Sequence, residues 1–239
     1  MKFENVKIWI ALLEYPFIET ECVASTLGTY EYSKWLCPGT NYPRNEIELA
    51  FTSGTSPSRA HNKAINDMLN DPRGFKALLI VGRDHIFKPD ALQKLFETDK
   101  DIIGGITTAR LRSITQLKEP VWSIVSDWRD GVPITLTRVQ CMEKMKKGNY
   151  QPFEAAVLGD GLMLIKRKVF ERMSPPWFYE PPIPKEEKPD TQKATMGTIG
   201  CDILFCRRAQ ELGFKIWAHP GVQYIHIGKH YASVEYNLD

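Results

Sequence analysis

Four places in this 239-residue chain combine reactive side chains with a backbone able to present them. Asp84 and His85 directly follow the all-apolar run Ala77-Leu78-Leu79-Ile80-Val81. In open α/β sheets ligands bind beyond the carboxyl ends of strands, so a carboxylate here can hold a phosphate-bound cation; it can equally start a turn. Asp202, in Gly200-Cys201-Asp202 ahead of a helical stretch, suits either the helix dipole or a general base that removes a hydroxyl proton. Gly159-Asp160-Gly161 allows a tight turn and close approach by a ligand, and it serves equally as a hairpin turn. His219, His226 and His230 gather near the chain end, with His226 inside the apolar segment Val222-Gln223-Tyr224-Ile225-His226-Ile227-Gly228. Zinc on Cys201, Cys206, His219 and His226 is disfavoured, because there is no CxxC pair and the spacing fits no common structural site.

The elements that must position these groups follow from hydrophobic periodicity. Residues 6–13 read as a buried strand, 19–34 as a helix, and 46–52 as an alternating half-buried strand. Thr55-Ser56-Pro57-Ser58 starts a helix running to about Leu69, since a hydroxyl caps orphan amides and Pro tolerates the first turn. Ala77 to Val81 suits a central parallel strand; a helix opens at Pro89-Asp90-Ala91-Leu92, and residues 101–107 form a further strand. In the second half, 134–140 and 162–166 read as strands, 167–173 as a short helix, and 202–212 as a helix closed by Gly213. Residues 180–197 have neither period nor apolar content, as a mobile lid, a binding loop or a plain surface excursion would. Strand alternating with helix predicts an α/β fold with a mainly parallel sheet in one domain over 1–239.

Composition narrows the field. An apolar fraction of 43% and a charged fraction of 25% belong to an ordinary globular core. Lys plus Arg 31 against Asp plus Glu 29 leaves +2, so no global field demands a nucleic acid. No apolar run approaches the ~20 residues of a membrane span. Five scattered cysteines, an odd count, read as reduced thiols of a cytoplasmic protein.

In this order the motifs resemble the GT-A glycosyltransferases, particularly family-2-like members of the bacterial and phage type. The carriers are Ser58-Arg59-Ala60-His61-Asn62-Lys63-Ala64, Leu79-Ile80-Val81-Gly82-Arg83-Asp84-His85, Asp101-Ile102-Ile103-Gly104-Gly105, Gly159-Asp160-Gly161-Leu162-Met163-Leu164-Ile165, Asp202-Ile203-Leu204-Phe205-Cys206-Arg207-Arg208-Ala209 and Tyr224-Ile225-His226-Ile227-Gly228. The resemblance implies a Rossmann-like GT-A sheet flanked by helices, with a nucleotide-sugar-binding half at 1–110 and an acceptor half at 111–239 carrying the loop at about 180–198. It places the DxD slot at Gly82-Arg83-Asp84, degenerate at its first position, and makes Asp84 and His226 ligands of Mn²⁺ or Mg²⁺. Arg59, Asn62, Gly82, Arg83 and Asp84 would face the donor, Asp202 would be the general base of an inverting transfer, and Trp122, Asp160 and Trp177 would face the acceptor.

The function so implied is metal-assisted transfer of a sugar from a nucleotide-diphosphate donor, UDP-sugar by default, to a hydroxyl of a glycan or other acceptor. Two alternatives stand beside it. Loss of a carboxylate at Gly82 suits a catalytically impaired nucleotide-sugar-binding module. The basic run Lys144-Met145-Lys146-Lys147 allows a phage-type DNA-base acceptor, although such runs usually form a solvated face.

Overall fold

A computed structural model describes residues 2–3, 5–14, 18–35, 45–107, 121–129, 132–180 and 200–227. The elements in chain order are β1 (Lys7–Glu14), α1 (Thr20–Trp35), β2 (Glu46–Ser53), α2 (Pro57–Asn70), β3 (Ala77–Val81), β4 (His85–Phe87), α3 (Ala91–Glu97) and β5 (Ile102–Ile106). There follow β6 (Val121–Arg129), β7 (Val132–Thr137), α4 (Arg138–Lys147), β8 (Phe153–Ala155), β9 (Val157–Leu158), β10 (Leu162–Lys166), α5 (Arg167–Arg172), α6 (Cys201–Glu211) and β11 (Ile216–His226). It is a mixed α/β structure in which helices flank a large, mostly parallel sheet.

The central sheet runs β2-β1-β3-β10-β5-β11-β4, with β8 added on β11. β1 pairs in parallel with both β2 and β3, and β5 with β11. β10 is inserted antiparallel between β3 and β5, and β4 and β8 run antiparallel to β11. β3, β5 and most of β10 are buried throughout, because layers cover both of their faces. Each such aliphatic side chain contributes about 1.5–3 kcal/mol on burial. The chain steps from β1 outward to β2, then back past β1 to β3. By the right-handed crossover rule such a reversal places successive helices on opposite faces and makes the carboxyl ends of β1 and β3 the expected ligand-binding crevice.

α2 shows why its sequence is a helix with a working face. Ser56 caps it by accepting from the Arg59 amide, and Pro57 fills the first turn. Ala60, His61, Ala64, Ile65 and Met68 form its buried stripe, so His61 faces inward with the apolar residues.

One expectation is corrected. The strand expected at 134–140 ends at Thr137, where a capping box starts α4: Thr137 Oγ1 accepts from the Gln140 amide while the Gln140 side chain accepts from the Thr137 amide. The basic run then lies in the last turn of α4, where cations favour the helix dipole, and Lys144 pairs with Asp127. The apolar segment beginning at Val222 is the second half of a strand that starts at Ile216. His85 begins β4. The loop at 181–199, and His230 with it, lie outside the described residues, as does the Trp122 side chain.

Candidate functional site

β3 ends at Val81, and the next three residues lead into β4. Beside it β10 begins at Leu162, opposite Val81, and the Gly82 amide donates to the Gly161 carbonyl at 2.8 Å. The Gly159–Gly161 turn is thereby fixed next to the Gly82–Asp84 turn. β4 pairs with the end of β11 so that His85 and His226 are direct partners, and the Ile227 amide donates to the Asp84 carbonyl at 2.7 Å. Directly opposed residues share one face of a ladder. The two imidazoles accordingly stack, centroids 4.5 Å apart and planes at 27°.

Asp84 lies against both rings. His226 Nε2 is 3.1 Å from Asp84 Oδ2, and His85 Nδ1 is 3.3 Å from Asp84 Oδ1. Ligand atoms of Asp84, His85 and His226 all fall within 4.8 Å of one another. Asp84 and His85 are buried and His226 is partly exposed, so the group has a closed side and an open one. Burial, reinforced by the neighbouring His226, brings His85 down to about 4, and the ring is neutral at pH 7. A carboxylate beside two imidazoles is a donor set that suits a divalent first-row transition ion better than Mg²⁺, and the His85 Nδ1 atom, buried and without a hydrogen-bond partner, fits the same use.

Gly82 has a steric reason. A Cβ there would sit 2.5 Å from His85 Nδ1, and one at Gly161 would sit 2.6 Å from His85 Nε2 and 2.9 Å from Tyr224 Oη. The His85 ring fills the space that a side chain at position 82 would need. The two glycines and the edge-on Tyr224 ring, 4.9 Å away, form its slot.

A second group adjoins the first. His61 Nε2 and Asp160 Oδ2 form an ion-pair contact at 2.9 Å, and Cys201 Sγ lies 3.9 Å from the same oxygen. Burial opposes charge on both partners, but the pair overrides it, holding Asp160 below and His61 above its ordinary value. Asp202, in the first turn of α6, accepts from the Ile203 amide at 2.9 Å. Burial and the charge of Asp160 hold its carboxyl up to about 7. Tyr224 links the groups: burial raises its hydroxyl, and Asp160, Asp202 and Asp84 in turn raise it further.

Other expected residues have structural employment. All four hydrogen-bonding positions of the Asn62 amide are taken: it donates to the Ser58 and Phe178 carbonyls and accepts from the Trp177 and Phe178 amides. It thereby seats Phe178, which stacks between His61 at 4.3 Å and Phe205 at 4.5 Å. Trp177 is buried, its indole N–H donating to the Phe170 carbonyl, so it packs the core rather than a ligand face. Arg59 is exposed at the start of α2, where it donates to Thr55 Oγ1. The Arg83 carbonyl accepts from the Glu19 amide. His219 stands apart, accepting from the Gly221 amide. His61 was missed as a site residue because a histidine on an apolar stripe reads as core; its signal was the lone polar ring among Ala60, Ala64, Ile65 and Met68.

The arrangement resembles solved structures. A197 from STIV aligns with a TM-score of 0.56 at 13% identity, covering 97% of this chain and 100% of that one. GalNAc-T7, solved with UDP, GalNAc and Mn²⁺, aligns with a TM-score of 0.55 at 9% identity, covering 94% of this chain and 43% of that one. The fold is GT-A-like. No protein-family model matches the chain, and no curated protein matches it significantly. The chain spans less than half the length of GalNAc-T7. Among the described residues no helix is long and apolar enough to cross a membrane.

Proposed function

We propose that this chain is a glycosyltransferase that moves a sugar from a nucleotide-diphosphate donor, a UDP-sugar by preference, to a hydroxyl acceptor. One observation carries this: Asp84 with its two imidazoles and the high-lying carboxyl of Asp202 meet around Tyr224 at the carboxyl end of the sheet. Asp84, His226 and His85 would hold Mn²⁺ or Mg²⁺. When bound, such a cation supplies charge neutralisation on the leaving diphosphate. Arg59 and Arg83 add positive charge on the donor side.

Asp202 takes the acceptor hydroxyl proton as that oxygen attacks the anomeric carbon. A carboxyl held near 7 matches this duty, because a general base works best when it titrates near the working pH. Asp160 faces the acceptor side and sets the charge that Asp202 feels. A single displacement inverts the anomeric centre.

The test is incubation of UDP-, GDP-, TDP- and ADP-sugars with Mn²⁺ and a panel of glycan acceptors, reading nucleotide release and product anomer by NMR. Acceptor-dependent release with inverted product is expected from the native chain. Asp202→Asn should lower turnover by about 10²–10⁴-fold while donor binding persists. A retained anomer would remove the single-displacement mechanism. Donor binding without release under any condition would instead identify a nucleotide-sugar-binding module.

A further inference from the structure

His61 and Cys201 have no part in the transfer chemistry, yet with Asp160 they bring three different ligand atoms together. Nε2 of His61, Oδ2 of Asp160 and Sγ of Cys201 all lie within 4.8 Å of one another. Bonds of about 2.0 Å to nitrogen and oxygen and about 2.3 Å to sulfur, at tetrahedral angles, give edges of about 3.3–3.5 Å. The observed separations of 2.9 Å and 3.9 Å bracket those edges, so small side-chain adjustments suffice.

The histidine is prepared for such a role. His61 Nδ1 lies 2.6 Å from the Pro57 carbonyl, which can only accept, so Nδ1 carries the proton. Nε2 is then the atom turned toward Asp160, in the carbonyl–histidine arrangement that orients metal-bound imidazoles. The ring is 1% exposed, stacked on Phe178, and its Nε2 has no aligned hydrogen bond. A buried nitrogen lone pair aimed at a carboxylate oxygen needs a cation between them, and that cation is either a proton or a metal.

The donor types decide which metal. A thiol, an imidazole and one carboxylate select a thiophilic ion over Mn²⁺ and Mg²⁺, because the thiolate is the soft donor of the set. We infer that His61, Asp160 and Cys201 form a site for Zn²⁺, separate from the Asp84–His85–His226 group. On binding, the Cys201 proton is released to solvent, and thiolate and carboxylate together balance the two positive charges. The side chain of Asp160 is 30% exposed, which gives a way in, and Glu180, which hydrogen-bonds the Cys201 thiol, lies beside the site. The site stands on its own geometry and does not depend on the transferase reading.

Co²⁺ alone, titrated into the metal-free full chain, is the test. One equivalent should give a tetrahedral cobalt spectrum with a thiolate charge-transfer band, and Zn²⁺ should displace it. Cys201→Ser should abolish the band, Asp160→Asn should weaken binding by more than about 100-fold, and Asp84→Ala should leave the thiolate band unchanged. Circular dichroism melts establish that each variant is folded; if Cys201→Ser fails to fold, Asp160→Asn carries the comparison. Absence of the band in the native chain would overturn the site and make the shared cation a proton. A band that survives Cys201→Ser, or vanishes in Asp84→Ala, would overturn it by placing the metal on other ligands.

Discussion

His85 occupies the space that a side chain at position 82 would need. The ring lies 2.5 Å from where a Gly82 Cβ would stand, and Gly161 and Tyr224 close its other side. An imidazole from the next strand thus fills the space beside the turn. Both the β4–β11 pairing, which brings His226 to it, and the contact with Asp84 hold it there.

Adding a side chain at position 82 should therefore harm the protein. Gly82→Asp, and already Gly82→Ala, should destabilise it by about 1–3 kcal/mol through overpacking and weaken Mn²⁺ binding by displacing His85. Urea unfolding and a Mn²⁺ titration check this. A Gly82→Asp protein of native stability with tighter Mn²⁺ binding would contradict the steric account.

Asn62 ties the segment at Trp177 and Phe178 to α2, and Phe178 in turn rests on the His61 ring. Asn62→Ala strands several partly buried backbone groups, each about 1 kcal/mol. A loss of about 2–3 kcal/mol in urea unfolding is expected, with the nucleotide-sugar KM little changed in whatever activity the chain has. A large rise in donor KM at unaltered stability would show that Asn62 meets the donor instead.

Acid should weaken the metal-free fold through His219. Burial, with the charge of Lys94 beside it, holds the native ring down to about 4 against an ordinary 6.5, and it accepts from the Gly221 amide. The unfolded chain therefore takes up the proton first. Stability is intact above pH 6.5 and falls as the pH drops from 6.5 toward 4, by about 1–2 kcal/mol after solvent screening. Asn in place of His219 keeps an acceptor and does not titrate, so His219→Asn should flatten that part of the curve. Denaturant midpoints at pH 7, 5.5 and 4.5 in EDTA measure it, and equal slopes in the two proteins would refute it.

The sheet was legible where physics is local. The run Ala77 to Val81 reads as a two-sided buried strand, and Ser56-Pro57 announces α2 from capping alone. Asp84, Asp160, Asp202 and His226 could be picked out because carboxylates and histidines beside strand ends and helix starts are conspicuous. His61 and His85 could not be assigned, since their partners lie far along the chain: Asp160 for the first, and the register of β4 on β11 for the second. The Thr137–Gln140 capping box was present in the sequence, but an apolar alternation running into it masked the change from strand to helix. Trp177 looked like a sugar platform because aromatic type alone does not reveal which way a ring faces.

Thermal unfolding with UDP-, GDP-, TDP- and ADP-sugars, each with Mn²⁺ and with EDTA, tests the proposed transferase most directly. One donor should stabilise the native chain in a Mn²⁺-dependent way, by about 2.7 kcal/mol at a hundredfold excess over its Kd. Asp84→Ala should lose that shift, whereas Asp202→Asn should keep it. No shift with any donor, or an equal shift in EDTA and in Asp84→Ala, would contradict a metal-assisted nucleotide-sugar site at Asp84 and His226.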